Sequence, residues 1–204
     1  MTGDGALVLV RHTQVCSTWK GYCYGASDVA LSPDGRAQIA ILSAKLADLN
    51  PAYVCHSGRT RTEALAAAVA ERSGARLICE ERFGELNFGD WEGRAWDDIY
   101  AEAGDRMADM IHAPASFAPP GGETVAALRQ RVIRAIGALP KTGLGIVVSH
   151  GGPLSAIRGT LAGRPASAWP KGGCPSMVNV SRSSGSSDPS IAKLRKFPRR
   201  LASE

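Results

Sequence analysis

The first apolar segment of the chain ends in two residues that could do chemistry. Residues 7–10 are Leu-Val-Leu-Val, and they run directly into Arg11 and His12. A buried strand that ends there places a fixed positive charge and a titratable imidazole where a sheet meets solvent. A neutral imidazole is a nucleophile, and the planar fork of arginine matches the oxygens of a phosphate group. On its own, the pair does not distinguish a phosphate site from an ordinary strand end.

Two further predicted strands end in residues of the same kind. The strand predicted over 52–57 leads into Arg59 and Arg61, and the strand predicted over 144–148 leads into His150. Because the carboxyl ends of parallel strands meet at one edge of a sheet, we expect these imidazoles and guanidiniums to lie close together. Helices that begin after these loops would point backbone N–H groups at the same place. The combination of the three strand ends therefore predicts a site for a phosphate group.

The elements that must position these residues alternate between strand and helix patterns. The predicted strands cover 6–10, 52–57, 75–79, 144–148 and 176–182. The predicted helices cover 33–49, 60–73, 95–111, 123–139 and 153–162. This order predicts an α/β domain, a three-layer α/β/α sandwich in which helices cover both faces of a mostly parallel central sheet.

Length and composition fit one domain without a membrane span. The 204 residues suffice for a single domain with a substantial core, and no segment approaches the ~20 apolar residues that span a bilayer. The first residues lack the basic region of a signal peptide, so none is predicted. The five cysteines are scattered without a Cys-x-x-Cys pair, so neither a disulfide framework nor a zinc site is predicted, and we expect a reducing, cytoplasmic compartment.

The C-terminal end of the chain differs in composition from the rest. Residues 183–188 read Ser-Ser-Gly-Ser-Ser-Asp, which is typical of a flexible link, so the domain is predicted over 1–182 and a tail over 183–204. Residues 191–204 supply +4 of the net charge of +5. A solvated terminus is the favoured interpretation, and binding to nucleic acid or to an acidic partner is the alternative. A further strand near 189–197 is left open.

Six short segments resemble, in order, the successive motifs of one family. They read LVRHT, LSPDGRAQ, HSGRTRTEALA, GELNFGDWEG, PGGET and IVVSHGG. This series resembles the histidine phosphatase superfamily, also called the phosphoglycerate mutase-like group, and it covers about residues 6–165. The resemblance implies a phosphoglycerate mutase-like fold. It also implies hydrolysis of phosphomonoesters through a phosphohistidine, without a metal or another cofactor.

The resemblance assigns roles to five residues. His12 matches the histidine that becomes phosphorylated, and Glu85 matches the carboxylate that serves as proton donor. Arg11, Arg61 and His150 match the groups that bind phosphate oxygens. The residue types suit these roles, because an imidazole can form a covalent intermediate and guanidiniums can neutralise the transferring phosphoryl group. A carboxyl group can protonate the leaving alkoxide and then activate water.

Several further candidates depart from the family pattern or lie beside it. Thr13 stands where the family has glycine, so its backbone must be extended or helical, and its hydroxyl is a candidate phosphate contact. Arg59 stands where the family has leucine and competes for the role of the second phosphate-binding arginine. Gly151 is a candidate accessory residue of the site. Glu92 and then Asp90, in the same loop, are the next candidates for the proton donor after Glu85.

The sequence narrows the range of substrates known for the family but does not identify one substrate. Residues 21–32, GYCYGASDVALS, resemble a segment of the α-ribazole phosphatase-like members. The short chain favours a phosphatase over a mutase, because a mutase must exclude water from its phosphohistidine. We expect a small phosphorylated metabolite as the partner, with α-ribazole phosphate as one candidate. The alternatives are mutase-type phosphoryl transfer and a catalytically weak module that binds phospho-ligands or proteins.

Overall fold

The computed structural model describes residues 5–166 and 191–195. The strands are β1 (Ala6–Arg11), β2 (Tyr53–His56), β3 (Arg76–Cys79), β4 (Leu144–Ser149) and β5 (Ile191–Arg195). The helices are α1 (Pro33–Ala47), α2 (Thr60–Ser73), α3 (Trp96–Ala103), α4 (Asp109–His112), α5 (Val125–Ala138) and α6 (Gly151–Leu161). No helix within these ranges has the length and apolar character needed to cross a membrane.

The five strands form one sheet in the order β3-β2-β4-β1-β5. The first four strands in this order are parallel to one another, and β5 runs antiparallel to β1. The prediction of a mostly parallel sheet is therefore confirmed. The order places β1 and β4 side by side at the centre, so the residues that follow these two strands emerge next to each other.

The alternating side chains of the central strands build two cores. On one face, α5 and α6 cover Leu7, Leu9, Tyr53, Cys55 and Val147. On the other face, α1 and α2 cover Val8, Val10, Val54, Ile146 and Val148. Successive strand residues point to opposite faces, so an apolar strand with both faces buried requires a helix layer on each side. The predicted three-layer sandwich is confirmed.

Local hydrogen bonds cap the starts of two helices, and the cap of α1 is the one that the sequence predicts. The Ser32 hydroxyl accepts from the backbone N–H of Gly35 at 2.9 Å, and Pro33 occupies the first position of α1. The Thr124 hydroxyl accepts from the N–H of Ala127 at 3.0 Å and begins α5 in the same way. These caps satisfy N–H groups that have no partner inside the helix.

The single helix predicted over 95–111 is wrong. The structure has α3 and α4 instead, joined by a 3-10 helix over Gly104–Ala108. Gly104 has a φ of 54°, a left-handed conformation that an α-helix cannot contain and that glycine adopts readily. The apolar spacing continues across the break, which is why the sequence pattern suggests one helix.

The predicted boundary at residue 182 does not mark the end of the sheet. Residues 191–195 of the predicted tail pair with β1, from Ala6 opposite Arg195 to Val10 opposite Ile191. This is the alternative left open for 189–197. The pairing has a physical reason, because it satisfies backbone groups that would otherwise line an open edge of β1. The strand predicted over 176–182 lies outside the described residues.

Candidate active site

The carboxyl ends of β1 and β4 bring two histidines together. Arg11 is in register with Ser149, and the backbone N–H of His12 donates to the Ser149 carbonyl at 3.0 Å. His150 follows directly, so the two imidazoles meet edge to face with ring centroids 5.2 Å apart. The convergence that the sequence predicts for these two strand ends is present in the structure.

His12 is held as a neutral imidazole with a defined orientation. Its Nδ1 lies 2.8 Å from the Thr13 carbonyl oxygen. A carbonyl oxygen only accepts, so Nδ1 carries the proton and Nε2 keeps its lone pair. Burial lowers the pKa of His12 to about 3, and the charges of Arg11 and Arg61 act in the same direction against the Thr13 hydrogen bond. The ring is therefore neutral at neutral pH, with a lone pair on Nε2.

His150 is the second member of a buried chain of hydrogen bonds, in which each group donates to the next from Arg61 to the Arg59 carbonyl. The Nε–H of Arg61 donates to His150 Nδ1 at 3.3 Å, so the ring proton lies on Nε2, which donates to the Ser57 hydroxyl oxygen at 2.7 Å. Ser57 then donates to the Thr62 hydroxyl at 2.9 Å, and Thr62 donates to the Arg59 carbonyl at 2.8 Å. Burial, together with the facing imidazole and the nearby guanidiniums, lowers the pKa of His150 well below its usual value.

Arg61 connects this chain to the loop that precedes α1. Its guanidinium donates from Nη1 to the Ser27 carbonyl at 2.6 Å and from Nη2 to the Gly25 carbonyl at 2.8 Å. The carboxylate of Asp28 lies 3.9 Å from Nη1. The Arg61 side chain is fully buried, and desolvation lowers its pKa from the ordinary value. Three of its five N–H donors are thus used to fix protein groups.

Arg11 and Arg59 keep their donors unused. Both residues are half-buried, and in the part of the chain that the structure describes neither guanidinium has a hydrogen bond or ion pair with a protein group. Both charges nevertheless lower the pKa of His150, and the Arg11 charge also lowers that of His12. Both candidate arginines that follow β2, Arg59 and Arg61, thus lower the pKa of His150, but Arg61 is hydrogen-bonded to the protein and Arg59 is not, within the described residues.

The Thr13 hydroxyl is buried next to His12 in the chain and has no hydrogen-bond partner among the described residues. Among the described residues, its oxygen is the one buried side-chain polar atom for which no hydrogen bond exists. Leaving a buried hydroxyl unpaired costs free energy, so the position favours a bound polar group that would complete it. The φ of Thr13 is not positive, as its Cβ requires.

Glu85 is held at the N-terminus of α6, beside the same strand ends. Its carboxylate accepts from the backbone N–H of Leu86 at 2.9 Å and from that of Gly152 at 3.1 and 3.2 Å. A Cβ at Gly151 would lie 3.7 Å from both the Arg11 guanidinium carbon and a Glu85 oxygen. Gly151 therefore lies between Glu85 and Arg11, and because it is a glycine it places no side chain between their charged groups.

The next candidate acids have other surroundings. Glu92 accepts from the backbone N–H groups of Ala26, Ser27 and Phe88 at 2.8, 3.1 and 3.1 Å, and from the Ser27 hydroxyl at 2.5 Å. These bonds tie two loops together, which is a structural task. The Asp90 carboxylate lies beside Gly121, where an added Cβ would be 3.3 Å from its oxygen.

Sequence reasoning misses the two hydroxyls of the hydrogen-bond chain. Ser57 and Thr62 are both buried, and together they fix the ring proton of His150. The available signal is their position on either side of Arg59 and Arg61, at the end of a buried strand and in the first turn of the next helix. Serine and threonine at such positions are ordinary capping residues, so the signal is weak.

Comparison with known families agrees with this geometry. The family model described as histidine phosphatase superfamily (branch 1) matches residues 7–189. The chain belongs to this superfamily, and the resemblance drawn from its six sequence segments is confirmed.

Individual relatives have more than one described activity. The chain is 30% identical over 163 residues to a probable phosphoglycerate mutase GpmB of Erwinia tasmaniensis, covering 78% of this chain and 76% of that protein. It is also 30% identical over 176 residues to a glucosyl-3-phosphoglycerate phosphatase of Mycobacterium tuberculosis, covering 80% and 78%. The solved α-ribazole phosphatase of Shigella flexneri superposes with a TM-score of 0.70 at 28% identity, covering 79% of this chain and 81% of that chain.

Proposed function

We propose that the protein is a phosphomonoester hydrolase that forms a phosphohistidine on His12. The observation that carries the proposal is the neutral imidazole, whose Nδ1–H is fixed by a backbone carbonyl and whose Nε2 lone pair is therefore available. It lies among guanidiniums that can neutralise the oxygens of a phosphoryl group. A superfamily with phosphatase-named members adds independent support.

The first step transfers the phosphoryl group to the protein. The Nε2 lone pair of His12 forms the bond to phosphorus, and the phosphorus–oxygen bond to the leaving group breaks. Arg11, Arg59 and the two remaining N–H groups of Arg61 hold the non-bridging oxygens, and the Thr13 hydroxyl supplies a further contact. The protonated carboxyl of Glu85 gives its proton to the departing alkoxide oxygen, so the alcohol leaves neutral.

The second step returns the protein to its starting state. The Glu85 carboxylate takes a proton from a water molecule as the water oxygen attacks phosphorus. The phosphorus–nitrogen bond breaks, its electron pair returns to His12 Nε2, and inorganic phosphate leaves. His150 is the remaining candidate for a phosphate contact. Its Nε2–H is accepted by Ser57 in the structure, so it must share or exchange that proton to reach a phosphate oxygen.

The substrate we propose is a small phosphorylated metabolite, with α-ribazole phosphate as the first candidate. Residues 21–32 support this choice, as does the solved relative described as an α-ribazole phosphatase. Relatives named as glucosyl-3-phosphoglycerate phosphatases make that phosphate ester the second candidate. Mutase-type transfer is the alternative, because a further relative is named a probable mutase.

A labelling experiment tests the covalent step. A ³²P-labelled substrate is mixed with the protein in a rapid quench, and the label should be stable in base, labile in acid and located on His12. Full activity of His12→Ala would overturn the proposal. Activity should persist in excess EDTA, because the nucleophile is an imidazole.

A substrate panel separates the proposed phosphatase from a mutase. The panel contains α-ribazole phosphate, glucosyl-3-phosphoglycerate, 3-phosphoglycerate and p-nitrophenyl phosphate, and kcat/KM is measured for each. Release of inorganic phosphate supports a phosphatase. Conversion of 3-phosphoglycerate to its isomer without release of phosphate would show a mutase instead.

A further inference from the structure

The guanidinium of Arg131, on α5, gives every one of its donors to a single loop and one carboxylate. Nη1 donates to the carbonyls of Arg82 and Gly84 at 2.7 and 2.8 Å, and Nη2 donates to the carbonyl of Glu85 at 2.8 Å. Nε and Nη2 donate to the carboxylate of Glu123 at 3.0 and 2.6 Å. A guanidinium has five N–H donors, so Arg131 is saturated.

Glu123 holds the other side of the same loop. Its Oε1 accepts from the backbone N–H of Asn87 at 3.0 Å, and its own N–H donates to the Asn87 carbonyl at 2.9 Å. Glu123 directly precedes Thr124, which caps α5, so its backbone is fixed by the start of that helix. The segment from 82 to 87 is thus attached to α5 before and after Glu85.

We propose that Arg131 and Glu123 are positioning residues for Glu85, which set where its carboxyl group meets the leaving oxygen. The inference rests on the proposed function, in which Glu85 moves the proton. Arg131 binds the carbonyl of Glu85 itself, so the backbone from which the acid projects is fixed at that residue. Within the described parts of the chain, the hydrogen-bond partners of the Glu85 carboxylate are two backbone N–H groups, those of Leu86 and Gly152.

The pair is largely buried, so it contributes to stability as well as to position. The side chains of Arg131 and Glu123 keep only 20% and 19% of their surface exposed, and removing one partner of a buried pair destabilises a fold. Misplacing a catalytic group by about 1 Å can in addition slow a reaction by about 100-fold. A positioning role predicts a loss of rate that depends on how much proton the leaving group needs, which a loss of stability alone does not.

The test compares substitutions of two arginines on the same helix. Arg131→Lys keeps the charge but cannot make the five bonds, whereas Arg129→Lys is a matched control because Arg129 donates to the Thr160 hydroxyl at 2.9 Å, away from the loop. The kcat/KM of each variant is measured on glycerol 2-phosphate, whose alkoxide needs a proton, and on p-nitrophenyl phosphate, whose leaving group needs little protonation. We expect Arg131→Lys to lose about 10- to 100-fold more on glycerol 2-phosphate than on p-nitrophenyl phosphate, and Arg129→Lys to match the unmodified protein on both.

A double variant separates action through Glu85 from a general structural effect. If Arg131 acts through the carboxyl group, Glu85→Gln with Arg131→Lys should be no slower on glycerol 2-phosphate than Glu85→Gln alone. Equal losses of Arg131→Lys on the two substrates, or additive losses in the double variant, would overturn the inference. Glu123→Gln serves as the second variant where Arg131→Lys does not fold, and it should show the same preference between substrates.

Failure of this inference is distinguishable from failure of the proposed function. An unmodified protein that hydrolyses neither phosphate ester would remove the proposed function and the inference together. A protein in which Glu85→Gln discriminates between the two leaving groups while Arg131→Lys and Glu123→Gln do not would retain the proposed function. In that case only the positioning role would be wrong.

Discussion

Acid should destabilise this protein through the histidines that it keeps neutral. The folded pKa of His12 is about 3, against 6.5 for the ordinary imidazole, which we take for the unfolded chain. Between these values the unfolded state binds more protons than the folded state, so stability falls as the pH falls below 6.5. His150 acts in the same direction, because its pKa also lies well below the ordinary value.

The size of the effect follows from the same pKa. One pKa unit corresponds to about 1.36 kcal/mol. At pH 5 the His12 imidazole is protonated in the unfolded chain and not in the folded protein, which lowers the free energy of unfolding by about 2 kcal/mol. This figure is an upper limit, because His12 is half-buried and keeps part of its contact with water. A net stability of about 5–15 kcal/mol is usual, so the loss is measurable.

Urea unfolding of the unmodified protein and of His12→Asn at pH 7.5 and pH 5.0 measures this loss. Asparagine cannot take up a proton, so between the two pH values the variant should lose less unfolding free energy than the unmodified protein, by at most about 2 kcal/mol. The slopes must agree at both pH values for the comparison to hold, and the buffers must be free of phosphate, which stabilises the folded state if it binds. An identical loss in the two proteins would refute the assignment of a neutral imidazole with a lowered pKa to His12.

Three further changes test the acid and the sheet. Glu85→Gln should slow glycerol 2-phosphate by about 10²–10⁴-fold and p-nitrophenyl phosphate far less; equal losses in steady-state assays would make Glu85 structural. Gly152→Ala places a Cβ 2.2 Å from Glu85 Oε1, whereas at Gly151 the nearest atoms are 3.7 Å away, so Gly152→Ala should lose more kcat on glycerol 2-phosphate; the reverse order would contradict the site geometry. A chain ending at Ser187 lacks β5, so its Tm in thermal melts should fall by more than about 4 °C; an unchanged Tm would show that the strand adds no stability.

The parts of the fold that the sequence predicts well are those with local causes. Residues 7–10 and 146–148 are continuously apolar, and a run of that kind flanked by glycine and polar residues favours a buried strand wherever it lies in the chain. Ser32 before Pro33 marks the start of α1 by hydrogen bonding within a few residues. The convergence of Arg11, His12 and His150 follows from these strands once they are parallel.

The parts that the sequence does not predict depend on contacts between distant residues. The task of Glu92 is decided by loop 26–27, which lies more than 60 positions away in the chain. The strand β5 pairs with the edge of β1. The composition of residues 191–195 alone does not indicate this pairing, because its partner lies at the other end of the chain. Arg131 lies in an ordinary amphipathic helix, and only the folded loop from 82 to 87 gives its donors their partners.

Arg59 and Arg61, the two candidates for the second phosphate-binding arginine, differ in their hydrogen bonds. Arg61 is buried and gives three donors to His150, Ser27 and Gly25, so it fixes the second imidazole before any ligand arrives. Arg59 has no such bonds within the described residues, yet its charge reaches the same imidazole. Arg61 keeps two of its five N–H donors for a ligand, whereas the Arg59 guanidinium, among the described residues, keeps all of its donors. The two arginines therefore need not compete, because in our proposal Arg61 orients the second imidazole and both guanidiniums contact the phosphate.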